Sequence, residues 1–191
     1  CGPPQSTGIY TIVDDDSSIN VSKNAAAPVA VAGQPTQFDV AYTVVVNNPT
    51  TVSANYALTD TPGLYGNVSI VSASYALNSG ASSTLAGSGP WTLQPQWRTL
   101  AAGATDTYVL AVRININRGG STANDTCASP SAAGSGLHNS ASAVLQGTPS
   151  NTTFISSACR NTPTPVWATL RKQLAARAIA SDQMQIRLLS A

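Results

Sequence analysis

Apolar and polar positions alternate most clearly across residues 38–46. Phe38, Val40, Tyr42, Val44 and Val46 fall on one face, with Asp39, Ala41 and Thr43 on the other. A period of two in β-branched and aromatic residues predicts a half-buried strand. Burying such a row contributes roughly 1.5–3 kcal/mol per large side chain before the entropy of ordering is subtracted. Asn47-Asn48-Pro49-Thr50 ends the strand, because proline lacks the N–H that a central strand donates. A returning strand is expected over residues 53–59, closed by the turn sequence Asp60-Thr61-Pro62-Gly63. A second clean row, Tyr108, Leu110, Val112, Ile114 and Ile116, predicts the main strand of a facing or neighbouring sheet. The two rows are expected to be opposing walls of one dry interior.

Weaker patterns fill in the rest. Residues 18–22 predict a first strand with Lys23 at its end, residues 68–75 another, and residues 139–145 the strand that closes the sandwich. Residues 24–35 read as an Ala/Pro/Gly-rich edge or loop, 78–90 as a Ser/Gly/Ala loop, and 119–136 as a long loop. Prolines limit residues 91–100 to short strands. The fold class expected is therefore all-β, an antiparallel β-sandwich with strand-forming extensions at both ends.

The ends suggest a tandem arrangement. Asn20-Val21-Ser22-Lys23, followed by Gln37-Phe38-Asp39-Val40, is paralleled by Thr169-Leu170-Arg171-Lys172, followed by Gln183-Met184-Gln185-Ile186. The chain accordingly divides into residues 1–17, a linker or tail of a preceding module; 18–160, one module; and 161–191. This last stretch is a stiff Thr-Pro linker plus the first strands of a following module or a donated strand. Residues 168–180 have high helix propensity, while Met184, Ile186 and Leu188 alternate as a strand would, so both readings stand. Residues 167–191 would pack on this module, be donated to a neighbouring copy by strand addition, or stay poorly ordered.

Composition narrows the function classes. Only 9 % of the 191 residues are charged and the formal net charge is +1, which leaves no electrostatic footprint for nucleic acid or an anionic membrane. No apolar run reaches membrane-spanning length, and nothing resembles a signal peptide, so a mature, processed or partial sequence is expected. All the acidic residues are aspartates, and Ser, Thr, Asn, Ala and Gly fill the remainder, as in strands and turns exposed outside a cell. Cys127 and Cys159 bracket a Ser/Thr/Gly-rich segment holding one predicted strand. A disulfide there would contribute roughly 3–4 kcal/mol by loop closure. Cys1 is left over, with its partner expected upstream.

The pattern YTVVVNN…ANYALTDTPG, followed by LAAGATDTYVLAV and LHNSASA, resembles the Ig-like conserved-repeat domain of large bacterial surface proteins. In that family a tyrosine-led strand ends in a V-N corner. A V-T-D-T-x-P strand end, an L-x-x-G-x-x turn and a final N-x-A strand follow. The likeness runs from Ser18 to Cys159 and implies an Ig-like sandwich in a tandem surface protein. It also implies chemistry for Lys23, Asp60 and Asn139, an arrangement similar to the lysine–asparagine isopeptide cross-link of Ig-like adhesin domains, where a buried acid promotes the reaction. Burial lowers a lysine's pKa toward the neutral nucleophile and raises an aspartate's toward the protonated form that polarises the amide. In the simpler alternative Asp60 caps a turn, Asn139 starts a strand and Lys23 is solvated.

Turnover catalysis has little to work with. His138 is the only histidine, no G-x-S-x-G elbow is present, and one histidine with scattered cysteines makes no zinc pattern. Asp14-Asp15-Asp16 reads as a solvated linker rather than a calcium site, so no metal or cofactor is expected. Trp91 and Trp97 form a candidate glycan platform, although tryptophan in a sandwich is more often core. The function expected is a non-enzymatic, secreted structural or adhesive module of a bacterial cell-surface or extracellular fibre protein. Its partners would be neighbouring modules, copies of itself, or a cell-surface or matrix ligand. The alternative is a carbohydrate- or surface-binding module.

Overall fold

The computed structural model describes residues 16–117, 122–128, 133–147 and 150–165. Among them lie ten strands and no helix. In chain order they are β1 (Asn20–Ala25), β2 (Val29–Val31), β3 (Gln34–Asn47), β4 (Ala54–Pro62), β5 (Val68–Leu77), β6 (Ser83–Leu85), β7 (Trp91–Leu100), β8 (Thr105–Ile116), β9 (Asn139–Leu145) and β10 (Thr152–Ala158). They form two antiparallel sheets packed face to face. One has the order β1-β3-β8-β5-β6, with β2 also on β3, and the other has the order β10-β9-β4-β7.

The two alternating rows are side by side in one wall. Tyr42 lies opposite Leu110, Val40 opposite Val112 and Phe38 opposite Ile114. The expectation of opposing walls is corrected by the ladder itself: alternation identifies which side chains turn inward and carries no information on which sheet holds them. On the outer face of the same strand pair, Arg113 donates to both carboxylate oxygens of Asp39 at 2.8 and 2.9 Å, a cross-strand ion pair that fixes their register. The facing wall supplies Tyr56 and Leu58 from β4, Trp91 and Leu93 from β7, and Ala141, Ala143 and Leu145 from β9, all buried.

Four other boundaries differ from expectation. β1 and β2 run consecutively along one edge of β3, interrupted near Pro28, and Ala26 N–H continues the ladder to Ala41 O at 2.8 Å. β6 occupies part of the segment read as loop 78–90 and pairs with β5. β7 is one continuous strand whose register slips against β4 around Pro95, Gln96 and Trp97, a bulge that accommodates the proline on an edge. β9 does not close the fold, because β10 follows it and forms the edge of that sheet, so two strands lie between Cys127 and Cys159. The β10 pattern of Thr152, Thr153, Phe154 and Ile155 alternates only weakly, since that edge strand buries a single residue, Ala158. Of the extensions predicted at 1–17 and 161–191, residues 1–15 and 166–191, including Cys1, Asp14, Asp15, Trp167 and the candidate donated strand 167–191, lie outside the described residues.

Candidate functional site

Lys23, Asp60 and Asn139 meet inside the sandwich. On β1, Ile19 leads an inward row that continues through Val21, Lys23 and Ala25, so the lysine sits on the apolar face of its strand. Asp60 is the last inward residue of a β4 row comprising Ala54, Tyr56, Leu58 and Asp60. It belongs to the body of the strand rather than to the turn that its Asp-Thr-Pro-Gly context suggests. Asn139 opens β9 opposite Pro62, while Asp60 lies opposite Ala141, so the acid and the amide are diagonal neighbours on the inner face of one sheet. Lys23 reaches Asp60 from the other sheet. Its Nζ donates to Asp60 Oδ2, with both side chains at 0 % exposure. Asn139 is 1 % exposed.

Burial dominates the electrostatics. Desolvation pulls the Lys23 pKa below its ordinary value, against the opposing charge and hydrogen bond of Asp60. Desolvation likewise pushes the Asp60 carboxyl up, with Lys23 and Asn139 drawing it back. Both shifts favour the uncharged forms, an amine and a carboxylic acid. Asn139 favours the Asp60 carboxylate, yet among the described residues neither its Oδ1 nor its Nδ2 makes a hydrogen bond of normal geometry, and Asp60 Oδ1 makes none. A buried polar group left in this state costs about 1–3 kcal/mol.

Tyr42, read from sequence only as a member of the apolar row, completes the site. Lys23 Nζ lies over its ring, 5.4 Å from the centroid, and its hydroxyl donates to Leu137 O at 2.9 Å, just ahead of Asn139. Burial and the Asp60 charge raise the phenol's pKa, so the hydroxyl stays protonated and remains a donor. Alternation reports that a tyrosine faces inward; the partner of its hydroxyl comes from a loop far away in sequence and leaves no local mark.

A cap closes this end of the sandwich. Cys127 and Cys159 are disulfide-bonded with Cα atoms 6.0 Å apart, as the sequence suggested. Leu137 N–H donates to Arg160 O at 2.7 Å, Gly136 N–H to Asn124 O at 2.6 Å and Thr162 N–H to Asp125 O at 2.8 Å. Arg160 Nε donates to Ala25 O at 2.7 Å, tying the strap after β10 to β1. Gly136 has φ +49° and faces Arg160 O and Cys127 Sγ so closely that a Cβ would come within 2.5 and 2.9 Å of them, so only glycine fits there. His138 is buried beneath the same cap, where its carbonyl accepts Gly63 N–H at 3.0 Å.

A second buried acid, Asp106 on β8, is surrounded differently. Its oxygens accept from Tyr56 Oη at 2.6 Å, Asn78 Nδ2 at 2.7 Å and Arg98 Nη2 at 3.0 Å. With the Tyr56 proton committed to Asp106, Tyr108 Oη donates to Tyr56 Oη at 2.7 Å. Burial alone would raise the Asp106 pKa, but the hydrogen bonds from Arg98, Tyr56 and Asn78 outweigh it and hold the carboxyl below its ordinary value.

The candidate aromatic platform is not one surface. Trp91 is 3 % exposed and its Nε1 donates to Ala86 O at 3.1 Å, a core position that follows from the inward alternation of Trp91 and Leu93. Trp97 stands 43 % exposed on the β7 bulge, beside Ala57, Pro95 and Gln96. Among the described residues no group of histidine, cysteine or acidic side chains is placed to hold a metal ion, and no helix is long and apolar enough to cross a membrane.

No family model matches the chain, and no curated protein matches it. Among solved structures it is similar to the Northeast Structural Genomics Consortium target SoR45, at 8 % identity over 84 % of this chain and 98 % of that one, with a TM-score of 0.30. It is also similar to a FixG-related protein from Vibrio parahaemolyticus, at 12 % identity over 78 % of this chain and 99 % of that one, again with a TM-score of 0.30. Likenesses of that depth carry no argument about function.

Proposed function

We propose that this chain is a secreted structural module of a bacterial cell-surface or extracellular fibre protein, an Ig-like repeat whose two sheets are joined by an isopeptide bond between Lys23 and Asn139. The observation that carries this reading is the burial of an amine, a carboxyl and a carboxamide against one another with polar atoms to spare. In the reaction, neutral Lys23 Nζ attacks Asn139 Cγ while the protonated Asp60 carboxyl polarises the amide oxygen. A new Nζ–Cγ bond forms, the Cγ–Nδ2 bond breaks, and a proton from Nζ passes through Asp60 to the departing nitrogen, which leaves as ammonia. The product ties β1 of one sheet to β9 of the other, so a pull that separates the sheets loads a covalent bond rather than a ladder of hydrogen bonds. The Cys127–Cys159 disulfide suits an oxidising compartment outside the cytosol. In this reading the partners are neighbouring modules or copies of the chain.

Intact mass of the oxidised protein tests the proposal. The expected value is the sequence mass less one ammonia, after allowance for disulfides, with a proteolytic fragment joining the Lys23 and Asn139 peptides. The uncondensed mass overturns it. Loss of water instead assigns the bond to Lys23 and Asp60 and overturns the role given to Asn139.

A second reading is favoured by one observation, the exposed Trp97 on the β7 bulge, which offers a flat apolar face to a sugar ring. It yields a glycan-binding module and is independent of the cross-link.

A further inference from the structure

We propose that the Cys127–Cys159 disulfide controls when the cross-link forms: oxidation of the two thiols locks the cap over Lys23, Asp60 and Asn139 and thereby switches the amide exchange on. This rests on the cross-link reading above and adds its regulation. The strap after β10 touches β1 and the turn that leads into β9. Arg160 Nε holds Ala25 O, next but one to Lys23 on β1, and Arg160 O holds Leu137 N–H, next but one to Asn139. Leu137 is itself fixed from the other side by the Tyr42 hydroxyl and is fully buried. The covalent member of this assembly is the disulfide. It joins the strap to the loop that precedes Asn139, where Cys127 Sγ lies against Gly136 and Cys127 N–H donates to Asn161 Oδ1 at 3.0 Å.

With the thiols reduced, the cap is held by a few hydrogen bonds, most of them between loops, the kind of segment that opens locally at low cost. Opening has two consequences for the chemistry. Water reaches Lys23 and Asp60 and restores their charged forms, and an ammonium ion has no lone pair with which to attack. Leu137 also loses one of its two anchors, so Asn139 is no longer held in an attacking geometry, where a misplacement near 1 Å costs roughly 10²-fold in rate. Oxidation proceeds by thiol–disulfide exchange: a low-molecular-weight disulfide takes the two electrons and two protons, leaves as two thiols, and Cys127 and Cys159 become joined. A chain synthesised in a reducing compartment would therefore keep its amine and amide apart, and would set the bond only after export.

The test follows the full chain made by cell-free synthesis under reducing conditions, then split into two arms, one kept reduced and one given oxidised glutathione. Aliquots are quenched in acid denaturant and weighed, and far-ultraviolet circular dichroism establishes that both arms are folded. Ammonia loss is expected to be roughly 10²-fold slower in the reduced arm. The Cys127→Ser/Cys159→Ser double variant should show the slow rate with or without glutathione. Arg160→Ala keeps the disulfide but cuts the strap from β1, and is expected to slow the oxidised arm. Equal rates in the two folded arms, or an Arg160→Ala rate equal to that of the parent chain, overturn the gating. Absence of ammonia loss from fully oxidised protein instead overturns the cross-link itself.

Discussion

Among the described residues the sandwich buries two aspartates, Asp60 and Asp106, and treats them in opposite ways. Asp106 is saturated: a guanidinium, a tyrosine hydroxyl and a carboxamide converge on its two oxygens, and the net result is a carboxyl held in its charged form. Asp60 faces the Lys23 amine and the Asn139 amide, has one oxygen without a hydrogen bond of normal geometry, and has its pKa pushed toward the protonated form by burial. A buried charge that serves the fold is surrounded until nothing is left to satisfy. In the proposed cross-link the acid is instead kept short of partners, because burial without full compensation favours the neutral amine and the protonated carboxyl that the reaction needs. The Asp60 side chain and its neighbours look wasteful as structure and sensible as reagents.

The largest expected effect separates the two sites by covalency. Asn139→Ala removes the electrophile and leaves Lys23 and Asp60 as a buried pair. The proposed bond from Lys23 to Asn139 would enclose a loop of roughly a hundred residues, whose closure would contribute about 5 kcal/mol in the chain-entropy account of cross-links. Urea unfolding of the disulfide-intact variant is expected to show a loss of about that size, together with the full sequence mass. A variant as stable as the parent chain would put Asp60 in the same structural class as Asp106 and erase the contrast.

Asp106→Asn comes next, at about 3 kcal/mol, because it turns an acceptor into a donor that faces the donors of Arg98 and Asn78. The two acids should also differ in the sign of their pH dependence. The folded pKa of Asp106 lies below its unfolded value, so its contribution is present above about pH 4 and is lost as pH falls through the folded value. The folded pKa of Asp60 lies above its unfolded value. In the uncross-linked Asn139→Ala background its contribution is therefore greatest in acid and declines as pH rises from about 4 through the folded value. A pH series of unfolding free energies on Asn139→Ala, with and without Asp106→Asn, separates the slopes. Slopes of the same sign would mean that both acids are held charged.

The residues that alternate are the ones whose environment could be read from sequence. Tyr42, Leu110 and their rows were legible as inward-facing because a period of two is a local property, and β4 and β9 followed from the same logic. The sheet to which each row belongs was not, since pairing depends on contacts between residues far apart in sequence; Tyr42 and Leu110 are neighbours rather than opposites. Lys23, Asp60 and Asn139 were singled out through the family resemblance. Their convergence has a local sign only at Lys23, which continues the inward phase of Ile19 and Val21. The Asp106 network left no comparable trace. Arg98 and Asn78 come from the end of a bulged edge strand and from a turn, and what unites them with Tyr56 and Tyr108 is the packing of two sheets.

The smallest expected effect tests whether any of this bears on recognition. Trp97 is 43 % exposed on the β7 bulge, so Trp97→Ala should change unfolding stability by less than about 0.5 kcal/mol, the usual range for a surface substitution. A spacer module should be silent on a glycan array with or without the tryptophan. Binding by the parent chain that vanishes in Trp97→Ala would establish the glycan-binding reading on the β7 edge. A large loss of stability would instead show that the indole contributes packing to the sandwich despite its exposure, and would overturn its assignment as a free aromatic face.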